Sequence, residues 1–187
     1  MGECVNMIIM LFGVSCVGKT STGKKLAEKL NYKFFDLDEE IKYRFNTTLE
    51  KFMKENPYPY ERSKIKGKIL KNLINEYQDN FVVAVSPIYY ARPFNSLLDL
   101  EEVIAIELQD SEENIFERLI FSDENDNVYQ DNIYKEKHKK HYLKEIHSDM
   151  MYLKKTFIKI KNKYFIDNRS IDEVVDDLLQ LINQINE

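Results

Sequence analysis

Tryptophan is absent from this 187-residue chain, and cysteine, proline and glycine are scarce, at two, four and five residues. The two cysteines, Cys4 and Cys16, have no metal-ligand spacing and form no disulfide framework, which fits a reducing, cytoplasmic setting. So few glycines and prolines leave little material for long loops. No repeat or linker interrupts the chain either, so residues 1–187 read as one domain. No apolar run approaches the ~18 residues needed to cross a bilayer, and no membrane association is expected. The opening MGECVNMIIMLFG lacks a basic segment ahead of its apolar run and reads as a core strand, not a signal peptide. An excess of basic charge is missing too. Lysine and arginine number 27 against 32 acidic residues, a net charge of −5, which gives no electrostatic case for nucleic acid. What is present, 43% apolar and 32% charged residues, suits a soluble folded domain, for which a monomer is the expected state.

Short apolar runs alternate with amphipathic stretches. Met7–Phe12, Phe81–Val85 and Val103–Leu108 are continuous apolar runs, the pattern of strands buried on both faces of a parallel sheet. Lys33–Leu37 and Tyr164–Asp167 read as shorter strands. Helical spacing covers Thr20–Leu30, a stretch with Ile65, Ile69, Leu70, Leu73 and Ile74 on one face, and a Lys-rich run over 134–160. Thr47 with Glu50, and Ser170 with Glu173, have capping-box spacing, and Ser111 precedes two glutamates as an N-cap would. Ser122–Asn132 is polar and aperiodic and reads as a mobile lid. Strand–helix alternation predicts an α/β fold with a parallel sheet.

Gly13-Val14-Ser15-Cys16-Val17-Gly18-Lys19-Thr20, followed by Ser21, matches the Walker A phosphate loop G-x-x-x-x-G-K-[ST] at every fixed position, between a strand and a helix. Such a loop turns successive N–H groups toward phosphate oxygens, aided by the helix N-terminus. Lys19 is expected at the β- and γ-phosphates of ATP, and the Thr20 hydroxyl on Mg²⁺. Cys16 reads as a small filler in the loop, with a redox role as the alternative. Asp36 and Asp38 fall where the second strand ends, the edge at which open parallel sheets bind ligands. One would support Mg²⁺, and the other would orient an acceptor hydroxyl and take its proton. Asp38 also reads as an N-cap, with Glu39 and Glu40 behind it.

The segment GVSCVGKTSTGKKLAEKLNYKFFDLDEEI with NTTLEKF after it resembles the opening of shikimate kinases, and the element order fits to the C-terminus. The resemblance implies a three-layer α/β/α P-loop NTPase fold with a five-stranded parallel sheet and a lid. It also implies transfer of the γ-phosphoryl of ATP to a ring hydroxyl of a small metabolite. Carried over by position, Asp38 is the base and Asp36 supports Mg²⁺. Arg118 stacks on adenine, with Asn168 and Arg169 on its other side.

Departures from the family fall in the acceptor half. Ser86-Pro87-Ile88 stands where a glycine triplet is expected, and no glycine follows Gly67. Glu61 occupies the position of a substrate-clamping arginine, with Arg62 one residue on, about 100° around a helix. The lid contains no Lys or Arg. The chain has only five arginines, and Arg92 follows the third strand as a further acceptor candidate. Shikimate is therefore expected to be a poor substrate. A kinase with another acceptor (a sugar acid or nucleotide-like molecule) and a nucleotide-binding regulator without transfer stand as alternatives.

Overall fold

Ile8–Phe12 (β1) is buried along its whole length and forms the middle strand of the sheet in a computed structural model that describes residues 6–186; Cys4 lies outside the described residues. Phe81–Ala84 (β3) and Val103–Gln109 (β4) flank β1 in parallel, Ile8 pairing with both Phe81 and Val103. Lys33–Asp36 (β2) lies outside β3 and Asn162–Phe165 (β7) outside β4. The order β2-β3-β1-β4-β7 is a five-stranded parallel sheet, as expected. Continuous apolar sequence in β1 and β3 follows from this position, since both faces of a central strand are covered.

Neighbouring residues of β1 point to opposite faces and show what covers each. Helix Lys19–Leu30 (α1) lies so close to the Leu11 side that a Cβ on Gly23 would stand 3.3 Å from Leu11 Cδ1. On the other face the Phe12 ring meets Phe94 at 5.7 Å and Phe157 at 5.5 Å. Ile171–Asn186 (α8) packs against α1, and Glu112–Glu117 (α5) against Lys139–Thr156 (α7), giving the three layers. Leu37–Phe45 (α2), Leu49–Glu55 (α3) and Pro59–Glu76 (α4) build the acceptor side, with Pro59 at the first helical position where its missing N–H costs nothing.

Local signals place most boundaries. Ser111 Oγ accepts from Asn114 N, and Ser170 with Glu173 forms the expected capping box. Four expectations are corrected. Thr48, not Thr47, caps α3, its hydroxyl accepting from Lys51 N. Asp36, not Asp38, caps α2, accepting from Asp38 N at 3.0 Å. The Lys-rich stretch is two helices, Asn132–Lys137 (α6) and α7, separated at His138. The segment expected to be aperiodic contains a small antiparallel hairpin, Phe121–Ser122 (β5) with Val128–Tyr129 (β6). Its turn is closed by Asp123, whose carboxylate accepts from the backbone N–H groups of Asn125 and Asn127.

Candidate active site

The phosphate loop leaves β1 through Gly13, whose φ of +140° suits glycine, and a Cβ there would meet Leu108 O at 2.5 Å. Gly18 (φ +110°) closes the loop as the N-cap of α1, and Cys16 takes a left-handed φ of 60° between them. Lys19 is buried, and its Nζ donates to Gly13 O at 3.0 Å and Val14 O at 2.7 Å, so its ammonium lies along the inside of the loop. Burial pulls its pKa down to about 8, while Asp38, Cys16 and Asp36 nearby favour the charged form.

Thr20 Oγ1 donates to Asp36 Oδ2 at 2.6 Å. A hydroxyl and a carboxylate held together at the mouth of a phosphate loop fit Mg²⁺, which takes one or two protein oxygens and completes its shell with phosphate and water. Among the described residues no cluster of three or more His, Cys, Asp or Glu could hold a metal by itself.

Two hollows meet beyond the C-terminal ends of β1, β2 and β3. The larger, about 660 Å³, is lined by Ser15, Lys19, Thr20, Asp36, Arg118 and Gln130 among others. The smaller, about 180 Å³, is lined by Phe52, Met53, Arg62, Ser63, Lys66 and Tyr89. Ser15, Asp38, Ser86 and Pro87 line both and form the wall between them. Burial raises the pKa of Asp38, and Asp36 adds to the rise, while Lys66, Ser86 and Lys19 pull it back. Ser86 Oγ lies near enough to act on that carboxylate but is buried without a hydrogen-bond partner in bonding geometry.

The expected residues separate into two groups. Ser15, Cys16, Gly18 to Ser21, Asp36, Asp38 and Arg118 line the larger hollow, while Gly13, Val14 and Val17 belong to the loop but not to the lining; Arg118 is fixed by Asp110 at 2.5 Å and by Cys16 O at 3.2 Å. Arg62 lines the smaller one, its guanidinium on Asn56 O and Pro57 O at 2.8 and 2.9 Å. Arg92 is exposed and lines neither hollow. Asn168 and Arg169 lie outside the lining too. Arg169 is turned onto Asp177, Phe165 O and the Tyr164 ring, where α8 begins. Glu61 faces away and pairs with Lys64 at 3.2 Å. Lys66 joins Arg62 in the smaller hollow without any motif to mark it. Its position four residues after Arg62 on a helix was the available signal, since that spacing puts both on one face.

A phosphate loop after the central strand, with a second hollow opening past its neighbour, is the build of P-loop kinases that act on small molecules. The family model described as shikimate kinase matches residues 15–183, and the chain belongs to the shikimate kinase family. The shikimate kinase of Macrococcus caseolyticus is 32% identical over 114 residues, 61% of this chain and 66% of that protein. Across the first curated relatives the match spans from 15% to 66% of their own length. Among solved structures, shikimate kinase from Bacteroides thetaiotaomicron has a TM-score of 0.75 at 21% identity, covering 95% of this chain and 98% of that one. Shikimate kinase from Acinetobacter baumannii, solved with shikimate, has a TM-score of 0.71 at 18% identity, covering 96% and 94%. Both likenesses bear on the fold.

Proposed function

We propose that this chain transfers the γ-phosphoryl group of ATP to a ring hydroxyl of shikimate. One observation carries the reading: Asp38 stands in the wall shared by a nucleotide-sized hollow and a small hollow containing cationic side chains. Lys19 and the loop N–H groups hold the triphosphate, and Arg118 covers the base. Thr20 and Asp36 would hold Mg²⁺, which when bound neutralises charge between the β- and γ-phosphates. Asp38 orients the acceptor hydroxyl and accepts its proton, a task suited to a carboxylate whose pKa is raised by burial.

Three features of the sequence argue for poor turnover of shikimate: Glu61 at the clamp position with Arg62 turned away, Ser86-Pro87-Ile88 in place of a glycine triplet, and a lid without Lys or Arg; the first of these is answered by the helix. The observed arrangement, Arg62 inward and Glu61 paired outside with Lys64, removes the clamp objection and leaves Ser86 and Pro87 in the wall in place of glycines. It gives an acceptor carboxylate a guanidinium partner, whose two parallel donors suit it. A silent regulator is not favoured, because the phosphate loop and both carboxylates are complete, and a different acceptor is not favoured, because the matching family is shikimate kinase. With no disulfide framework and no helix long and apolar enough to cross a membrane among the described residues, a cytoplasmic setting fits.

Steady-state kinetics with shikimate test the reading. Arg62→Ala is expected to raise the shikimate KM roughly 10- to 200-fold, the equivalent of one charged hydrogen-bond partner at about 1.5–3 kcal/mol. Glu61→Ala is expected to change it less than about twofold, as an exposed pair contributes little. Equal effects of the two substitutions would overturn the assignment.

The hairpin is proposed as the lid over this site. Its tip residue Asp126 accepts from Leu49 N at 2.8 Å, tying it to α3, whose Phe52 and Met53 line the acceptor hollow. Val128 and Tyr129 are largely exposed, and the aromatic contacts of the hairpin with the helices are made by Phe121 at its base, which meets Tyr134 and Tyr142, so little holds the tip closed. Asp126→Ala is expected to speed amide exchange across residues 121–129 severalfold, with α8 unchanged, and bound ligands are expected to slow it. Exchange indifferent to both would show that the segment is not a lid.

A further inference from the structure

Phosphoryl transfer places negative charge on three equatorial oxygens between donor and acceptor, so the cations at that point decide the rate. Few are available here. Arg118 is committed to Asp110 and Cys16 O. Arg62 places Nη1 on Asn56 O and Pro57 O and keeps its other donors for the acceptor carboxylate. Lys135 is buried beneath the Phe116 ring and donates to Glu117 O. Residues 122–132 contain no Lys or Arg, and the residue of that segment that lines the nucleotide hollow, just after the hairpin, is the neutral Gln130. Lys19 comes from the nucleotide side. Among the described residues that line the two hollows, the cation that remains is Lys66.

Lys66 reaches the reacting region from α4. Its Nζ donates to Pro87 O at 3.0 Å, and Pro87 belongs to the wall that separates the two hollows. Among the described residues this is its one hydrogen bond, which leaves two N–H donors of the ammonium for a ligand. Asp38 is its principal charged neighbour, and Lys19 is close enough to feel it. Arg62 lines the same smaller hollow beside Tyr89, but its bonds go to Asn56 O and Pro57 O and not to the wall. Burial and Arg62 both work against the Lys66 charge, while Asp38 sustains it. An ammonium so poorly solvated gains strongly from an incoming anion.

Resting on the proposed kinase reading, we infer that Lys66 is a catalytic residue: it holds the γ-phosphoryl group during transfer, across from Lys19, and does not serve as the carboxylate partner of the acceptor. The acceptor oxygen forms its bond to the γ-phosphorus as the bond from that phosphorus to the β,γ-bridging oxygen breaks. The electron pair of the broken bond stays on ADP, and the hydroxyl proton passes to Asp38. Lys66 and Lys19 bracket the charge that spreads over the moving group. Asp38 keeps Lys66 charged in the empty site, so base and cation are supplied as a pair.

The test uses the full chain with Lys66→Met and Lys66→Arg. The first readout is calorimetric affinity for MgADP with aluminium fluoride, a mimic of the transferring group that needs no acceptor. Lys66→Met is expected to weaken that complex about 100-fold or more, the scale for one lost donor to developing charge. MgADP alone should bind within about twofold of wild type, which also reports that the variant is folded. Lys66→Arg should recover most of the loss. The second readout is turnover: kcat is expected to fall by a similar factor with shikimate and with its uncharged carboxamide. Undiminished affinity for the fluoride complex, or a loss confined to the carboxylate substrate, would overturn the inference. If wild type leaves shikimate untouched while Lys66→Met still weakens the fluoride complex, the acceptor is wrong and the role of Lys66 stands. If wild type phosphorylates shikimate and Lys66→Met binds the fluoride complex normally, the role is wrong and the acceptor stands.

Discussion

Lys19→Met should abolish turnover and cost most of the ATP affinity. The side chain lies inside the phosphate loop, bonded to Gly13 O and Val14 O, and has to move only slightly to meet the β- and γ-phosphates. Losing one charged donor costs about 1.5–3 kcal/mol in binding, roughly 10- to 200-fold in Kd. Further loss, on the order of 10²–10³, is expected in kcat because the same ammonium faces charge that grows in the transition state. Stability is expected to move the other way. The native pKa of about 8 lies below the usual 10.5, so the unfolded chain binds this proton more tightly. Charged Lys19 therefore weakens the empty fold at neutral pH, and that penalty fades as pH rises through and above 8. Lys19→Met without ligand should unfold several degrees higher than wild type at pH 7, with the gap closing toward pH 10. The wild-type kcat/KM for ATP should decline above about pH 8, where the free enzyme begins to lose this charge. Unchanged ATP affinity and turnover in the variant would contradict the assignment, as would a variant less stable than wild type at pH 7.

Asp38→Asn should separate binding from chemistry. Asparagine keeps the shape but cannot take the hydroxyl proton, and removing a general base lowers kcat by about 10²–10⁴. Nucleotide binding should survive or tighten, since a carboxylate in the wall beside the triphosphate repels it. The sign is opposite to that of Lys19→Met, which makes the pair of variants informative together. Single-turnover kinetics and calorimetry check both halves. Retained turnover would remove Asp38 from the base role, and a large loss of ATP affinity would mean that it organises the phosphate loop.

The nucleotide half of the site was legible in the sequence because its information is local. Eight consecutive residues specify a loop whose glycines, lysine and threonine have assigned positions, and Asp36 follows at the end of the next strand. The central strands were legible because β1 and β3 are buried on both faces and leave no polar residue to confuse the period. Caps at Ser111 and Ser170 depend on neighbours three residues away and were read correctly. The acceptor half depends on rotation about α4 and on what faces it across the chain. Glu61 and Arg62 differ by a turn of the helix face that no local pattern decides, and Lys66 gains its meaning from Pro87 and Asp38, distant in sequence. Arg169 was misdirected for the same reason, its partner Asp177 lying two turns into α8. The two-residue strands of the hairpin are too short for any periodicity to mark them.

The most direct test is ADP formation by the purified full chain with ATP, Mg²⁺ and shikimate, with the product identified by phosphorus NMR. The account predicts shikimate-dependent ADP release at a kcat/KM of about 10⁴ M⁻¹s⁻¹ or above and a new phosphomonoester on the ring. ATP binding without shikimate-dependent ADP release would contradict it.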